Sequence, residues 1–202
     1  MKSVSKKQST RPRPVSNGMN ILVFCSAQEV SEKYKKSAAE FASLIGEHGH
    51  TLVWGGTDRG LMKIVAQGVR DKGGKIIGIT MELTKHKAHT SADEMVVAKT
   101  LGERKVLMLE RADAIVAFPG GTGTLDEVTE VIALKRHGTH NKPVVLLNTD
   151  NFYEGLKLQL QRMKDDDFLI SPEDGMLNTV EKLVYFADTP KDAIAYINAH
   201  GN

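Results

Sequence analysis

Short apolar runs alternate along this chain with stretches whose apolar residues recur at helical spacing. Ile21-Leu22-Val23-Phe24 lies in the first run and predicts a strand over 20–25. Between Ser31 and about His48, the stripe Tyr34, Ala38, Phe41, Leu44, Ile45 predicts an amphipathic helix that stops at Gly49. Thr51-Leu52-Val53-Trp54 predicts a second strand, followed by a Gly-rich turn, Gly55-Gly56-Thr57-Asp58-Arg59-Gly60, and a helix over 61–71. The same reading gives strands at 75–80, 94–98, 114–118, 143–147 and 183–186, and a polar loop over 81–93. Helices are expected over 101–111, from the end of a second Gly-rich turn to about His137, and over 152–163 with Asp150 or Asn151 as cap. A last helix opens at Thr189-Pro190, a cap followed by a first-turn proline, and runs to about Ala199.

The strands are apolar without alternation, as expected for strands buried on both faces. Strand–helix alternation of this kind predicts an α/β fold: a three-layer, doubly wound, mostly parallel sheet in a single domain. Such sheets bind ligands beyond the C-terminal ends of their strands, at the point where strand order reverses. Both Gly-rich turns follow strands, so both are expected on that rim.

The stretch from Ala114 to Glu127 is the most informative. Ala114-Ile115-Val116-Ala117-Phe118 is a buried-strand run, and Pro119 stops its ladder for want of an N–H. Gly120, Gly121 and Gly123 let the backbone approach a ligand closely. Leu125, Val128 and Ile132 then set a helical stripe. A Gly-rich turn between a buried strand and a helix start collects free N–H groups at the positive end of the helix dipole, which suits a phosphate. The competing reading is a capping box, with Thr124 as cap and Glu127 reaching back. No Gly-Lys-Ser/Thr follows, so this is not a Walker loop, and the turn after the first strand lacks the glycines of a dinucleotide fingerprint.

The 202 residues carry 27 basic and 25 acidic side chains, a net charge of +2 that hides an asymmetry. Residues 1–18 hold Lys2, Lys6, Lys7, Arg11 and Arg13 and no acid; setting those five aside leaves 22 basic against 25 acidic residues, a net charge near −3. The folded part therefore offers no basic patch for nucleic acid, and 1–18 reads as a disordered basic tail preceding a Rossmann-like domain over 19–202. No apolar run nears the roughly 18 residues that span a bilayer. Cys25 is the sole cysteine, excluding an intrachain disulfide and fitting a cytoplasmic setting, and as a strand-end residue it is expected in the core. The seven histidines show no metal-ligand spacing, and no metal or cofactor is expected.

Arg104 shares a helix face with Leu101, Lys105 and Met108, an apolar side for a guanidinium. It either finds an anion there, snorkels, or bridges to Glu127. Glu127 stands beside the expected phosphate site, where a carboxylate could stabilise an oxocarbenium-like centre or orient a water. Asp126 and Glu130 are close to it in sequence, but helix geometry points them in different directions.

Pro119-Gly120-Gly121-Thr122-Gly123-Thr124-Leu125-Asp126-Glu127 resembles the Pro-Gly-Gly-x-Gly-Thr-x-x-Glu hallmark of the LONELY GUY family, formerly labelled lysine decarboxylase-like. Glu103-Arg104-Lys105 matches the family's upstream Arg-Lys pair, and Gly55 to Met62 its Gly-Gly-x-x-x-Gly-Leu-Met turn. Further likeness lies in 138–143, in Leu147-Asn148 and in Ile170-Ser171-Pro172-Glu173. The resemblance implies a modified Rossmann fold, a homodimer or higher homo-oligomer with its site near the subunit interface, and hydrolysis of the N-glycosidic bond of a nucleoside 5′-monophosphate, AMP or a cytokinin nucleotide. It implies Arg104 and Glu127 as the catalytic pair, and Gly120, Gly121, Thr122, Gly123 and Thr124 as the 5′-phosphate loop. Gly55, Gly56, Gly60, Lys105 and Asp126 would complete the substrate site. The chain departs from the family at Cys25-Ser26-Ala27-Gln28, at His86 where a glutamate is expected, and at Leu134-Lys135-Arg136-His137 where a Trp and a Gln are usual. These positions are expected to line the base pocket. Two other functions compete: a carrier that binds a nucleotide or molybdenum cofactor without cutting it, and a pyridoxal-phosphate decarboxylase, for which no Schiff-base lysine stands out.

Overall fold

The computed structural model describes residues 18–201 except 173, 174 and 177. The expected tail, apart from Gly18, and Glu173 of the Ile170–Glu173 likeness lie outside the described residues. The elements are β1 (Asn20–Phe24), α1 (Glu32–Glu47), β2 (Thr51–Trp54), α2 (Gly60–Asp71), β3 (Lys75–Met81) and β4 (Glu94–Ala98). They continue with α3 (Leu101–Arg111), β5 (Ala114–Ala117), α4 (Thr122–Arg136), β6 (Val144–Leu147), α5 (Glu154–Asp165), α6 (Val180–Leu183), β7 (Tyr185–Ala187) and α7 (Pro190–His200).

The seven strands form one sheet in the order β4-β3-β2-β1-β5-β6-β7, with every pairing parallel. The chain builds outward from β1 to β4, then returns to place β5 on the free side of β1. Strand order thus reverses between β1 and β5, where Leu22 registers with Ile115 and Phe24 with Ala117. Successive β1 residues feed two cores. Ile21 and Val23 pack with residues of α1, α2 and α7, while Leu22 and Phe24 pack with residues of α3, α4, α5 and α6. Burial on both faces is why these strands carry no polar alternation. No helix among the described residues is long and apolar enough to cross a membrane.

Several local expectations are corrected. The polar loop after β3 contains a 3-10 helix, Glu82–Lys87, and is tied to the first Gly-rich turn by an antiparallel bridge between Thr57 and Ala88. Leu183 ends α6 instead of opening a strand, because the Thr179 hydroxyl accepts from Lys182 N and caps that short helix. Neither Asp150 nor Asn151 caps α5. Both sit at φ 57, and the Asn148 side chain accepts from Tyr153 N instead. The stripe expected on α4 is also shifted. Leu125 is 45% exposed, and Thr124, Glu127, Val128, Val131 and Ile132 make the buried face.

Candidate active site

β5 delivers the chain to the rim at the strand-order reversal. The Phe118 N–H still donates to Phe24 O (2.9 Å), after which Pro119 ends the ladder. Gly121 is the N-cap of α4, and its carbonyl accepts from Leu125 N at 3.0 Å. Thr124 is therefore already inside the helix, and Glu127 is tied to Arg104, so the capping-box reading fails. The first-turn N–H groups of a helix have no intrahelical acceptor, and here Gly121, Thr122 and Gly123 are exposed. A Cβ built on Gly121 or Gly123 would meet nothing within 4 Å, so neither glycine is explained by packing inside the chain. Gly120 is: a Cβ there would fall 2.3 Å from Thr124 Oγ1, and the buried Thr124 side chain supports the loop from beneath.

Arg104 is held on three sides. It lies one turn into α3, 9% exposed. Its Nε donates to Ile79 O at 2.8 Å and its Nη1 to Glu127 Oε1 at 3.2 Å. Its Nη2 lies against Gly55, where a Cβ would come within 2.2 Å. Gly55 is thus a space requirement of the guanidinium. Burial pushes the Glu127 carboxyl up to about 6, against the downward pull of Arg104. The carboxyl therefore changes charge much closer to neutrality than an ordinary glutamate.

The remaining candidates divide. Gly56 and Gly60 take φ +74 and +55, and a Cβ on Gly60 would lie 2.4 Å from Gln28 O. Gly60 thus lies under the β1–α1 loop, Gly56 against Met95, and Gly55 against the Arg104 guanidinium. Lys105 Nζ pairs with Asp126 Oδ2 at 3.0 Å and also with Glu130. Asp126 and Glu130, four residues apart, therefore converge on one partner instead of diverging. Glu127 also opens onto a cavity of about 330 Å3 between α3 and α4, lined by Phe24, Val106, Leu109, Val131 and Leu134 among others. Of the positions expected to line a base pocket, Leu134 is there. His86 is exposed on the 3-10 helix, and Arg136 turns away to donate to Ile170 O (2.9 Å). Cys25 is buried, and burial raises its thiol well above the usual range, so it is a neutral core residue. Among the described residues, no group of three or more His, Cys, Asp or Glu side chains could hold a metal ion.

An all-parallel α/β sheet with a Gly-rich loop and a buried Arg–Glu pair at its switch point defines a Rossmann-like α/β protein. The chain belongs to the LONELY GUY family: residues 62–197 match the family profile described as "Possible lysine decarboxylase". It is 34% identical over 182 residues (89% of this chain, 94% of the relative) to the cytokinin riboside 5′-monophosphate phosphoribohydrolase of Mycobacterium tuberculosis. It is 36% identical over 154 residues (75% and 72%) to the protein of that name, LOG2, of Arabidopsis thaliana. Its fold also matches the molybdenum cofactor binding protein of Rippkaea orientalis, with a TM-score of 0.69 at 24% identity over 91% of this chain and 98% of that one.

The family's older description implies pyridoxal phosphate, which the residues present do not fit. A Schiff-base lysine needs its ammonium made easy to deprotonate. Lys105, beside Glu127, has the opposite setting: its hydrogen bond to Glu130 and its contact with Asp126 raise its pKa. Lys142 lines the same cavity and burial does lower its pKa, but its Nζ is held by Leu109 O at 2.5 Å instead of facing the cavity as a free amine.

Proposed function

We propose that this chain hydrolyses the N-glycosidic bond of a nucleoside 5′-monophosphate, releasing free base and ribose 5-phosphate. The observation that carries the reading is the buried Arg104–Glu127 pair, 3.2 Å apart, beside the open N-terminus of α4. The names of the relatives point to the same chemistry. In this reading the N–H groups at 120–124 take the 5′-phosphate, and the α4 dipole favours its charge. As the bond from C1′ to the base nitrogen breaks, its electron pair leaves with the base and positive charge builds on the ribose. Glu127, ionised, stabilises that charge and orients the water whose oxygen bonds to C1′; the water's proton ends on the departing base. Arg104 keeps Glu127 aligned and offers its remaining N–H groups to the substrate. Lys105 and Asp126 brace α3 against α4 at the edge of the same site.

The test is a panel of nucleoside monophosphates with chromatography of the released base. Glu127→Gln is expected to lower turnover by about 10²- to 10⁴-fold, the usual worth of such a group, while AMP binding by calorimetry persists. Turnover by Glu127→Gln at the parent rate would remove Glu127 from the chemistry. Tight AMP binding by the parent without any base release would favour a carrier.

The same reading includes self-association. Leu101, Val106 and Leu125 stand 45–52% exposed on α3 and α4, next to the Arg104–Glu127 pair. A second copy covering them would bury this apolar surface and enclose the site. A reducing cytoplasmic setting is compatible with the single buried Cys25.

A further inference from the structure

Phe118 is the last residue before the Pro119-Gly120 turn, and three separate contacts fix it. Its ring packs edge-on against Phe41 of α1, with centroids 5.6 Å apart. Its N–H donates to Phe24 O. Its carbonyl accepts from the Tyr153 hydroxyl at 2.5 Å. Pro119 has no N–H, so the loop loses one ladder bond where it leaves the sheet. The Phe118 carbonyl, which belongs to the peptide plane joining Phe118 to Pro119, is therefore the last polar handle by which the sheet side of the loop can be oriented.

Tyr153 is built for that contact. It is 5% exposed, and burial raises its phenol well above the usual range, so the oxygen keeps its proton and can only donate to the carbonyl. Its own backbone is fixed in turn. Asn148 Oδ1 accepts from Tyr153 N at 2.7 Å, Asn148 Nδ2 donates to Glu154 Oε1 at 2.8 Å, and Asn148 N donates to Ala187 O of β7 at 2.8 Å. The chain reaches this arrangement through two successive left-handed residues, Asp150 and Asn151, each at φ 57. Single non-glycine residues in that region are uncommon, and a pair of them is retained only where surrounding contacts over-determine the turn.

We propose that Tyr153 is a positioning residue for the 120–124 loop: its hydroxyl sets the direction in which the Gly-rich turn leaves the sheet, and so the aim of the N–H groups at the start of α4. This rests on the phosphate reading of that loop. A tyrosine serving only to fill the core would owe its place to its ring, and losing the oxygen would not discriminate between ligands. A positioning hydroxyl has a different signature, because misaimed N–H groups weaken only ligands that carry the phosphate.

The experiment compares the parent with Tyr153→Phe, which keeps the ring and removes the donor. For AMP, KM is expected to rise about tenfold, the factor matching the loss of one net hydrogen bond, with kcat within about twofold of the parent. Calorimetry is expected to show the same tenfold weakening for AMP and no change for adenosine. Should the Phe variant not fold, Asn148→Ala, which removes the acceptor holding Tyr153 N, is expected to show the same split. Equal losses for AMP and adenosine, or unchanged AMP binding, would overturn the positioning role. A parent that binds AMP but releases no base would sink the hydrolase reading alone, since the calorimetric comparison still decides Tyr153.

Discussion

At the residue scale, Glu127 is a carboxyl placed where burial and a neighbouring cation pull in opposite directions. Burial wins, and the group titrates at about 6. If Glu127 works ionised, kcat/KM for a nucleotide should climb through an acid limb with an apparent pKa about 6 and level off above it. Glu127→Gln should lack that limb in whatever activity remains. A limb at the ordinary carboxylate range in the parent would contradict the buried placement. The same shift bears on stability, with a definite sign. A folded-state pKa above the unfolded value gives a contribution that is complete below about pH 4 and is lost as pH rises through about 6. The loss is about 2 kcal/mol for a shift of this size, so the working form of the site is the less stable one.

How much of the site could be read beforehand also differs residue by residue. Arg104 was legible because a guanidinium on a face shared with Leu101 and Met108 asks for a partner, and the bridge to Glu127 was among the readings. The burial of Glu127 was not legible. The pattern favoured Leu125 as the inward residue, and only the contact with Arg104 explains why the helix turns its carboxylate inward while leaving that leucine half exposed. Tyr153 carried no signal, since its role depends on backbone conformation at Asp150 and Asn151 that no apolar periodicity encodes.

At the element scale, α3 is set by a cap that a pattern search could have found. Thr100 Oγ1 accepts from Glu103 N at 3.1 Å, and Glu103 Oε2 accepts from Lys99 N at 2.7 Å. The Thr-x-x-Glu sequence announces such a cap, although Glu103 reaches past the N–H of Thr100 itself to that of Lys99, one residue before it. Because Arg104 follows one residue later, the cap also fixes where the guanidinium enters the site. Thr100→Ala should cost about 0.5–2 kcal/mol of stability, read as a lower midpoint in denaturant with an unchanged slope. An unchanged midpoint would show that Glu103 and tertiary packing hold the helix start unaided. The central strands β1, β2, β5 and β6, by contrast, were legible to within a residue at each end, because burial on both faces leaves continuous apolar runs, whereas the edge strand β7 begins two residues later than its apolar run implies. The 3-10 helix at Glu82–Lys87 was not legible, since it buries no side chain, its one apolar residue, Leu83, included, and its position is set by backbone bonds to the first Gly-rich turn.

At the scale of the whole molecule, the exposed Leu101, Val106 and Leu125 beside the Arg104–Glu127 pair are what the proposed self-association rests on. Sedimentation is expected to show the parent as a dimer or larger, and Val106→Glu to shift it toward monomer with reduced nucleotide turnover. A monomeric parent of full activity would remove self-association from the account of this site.

The connection through α3 has a consequence for how completeness and activity are linked. This helix leaves the outermost strand, β4, and travels back across β3, β2 and β1 before the chain can lay down β5. Arg104 rides on it with its Nε anchored to Ile79 of β3, while Glu127 arrives from the far side of the reversal. The two halves of the pair are thus contributed by opposite wings of the sheet. If the proposed pair carries the reaction, fraying at the β4 margin silences the molecule while most of its secondary structure persists, and turnover becomes an earlier alarm of damage than circular dichroism.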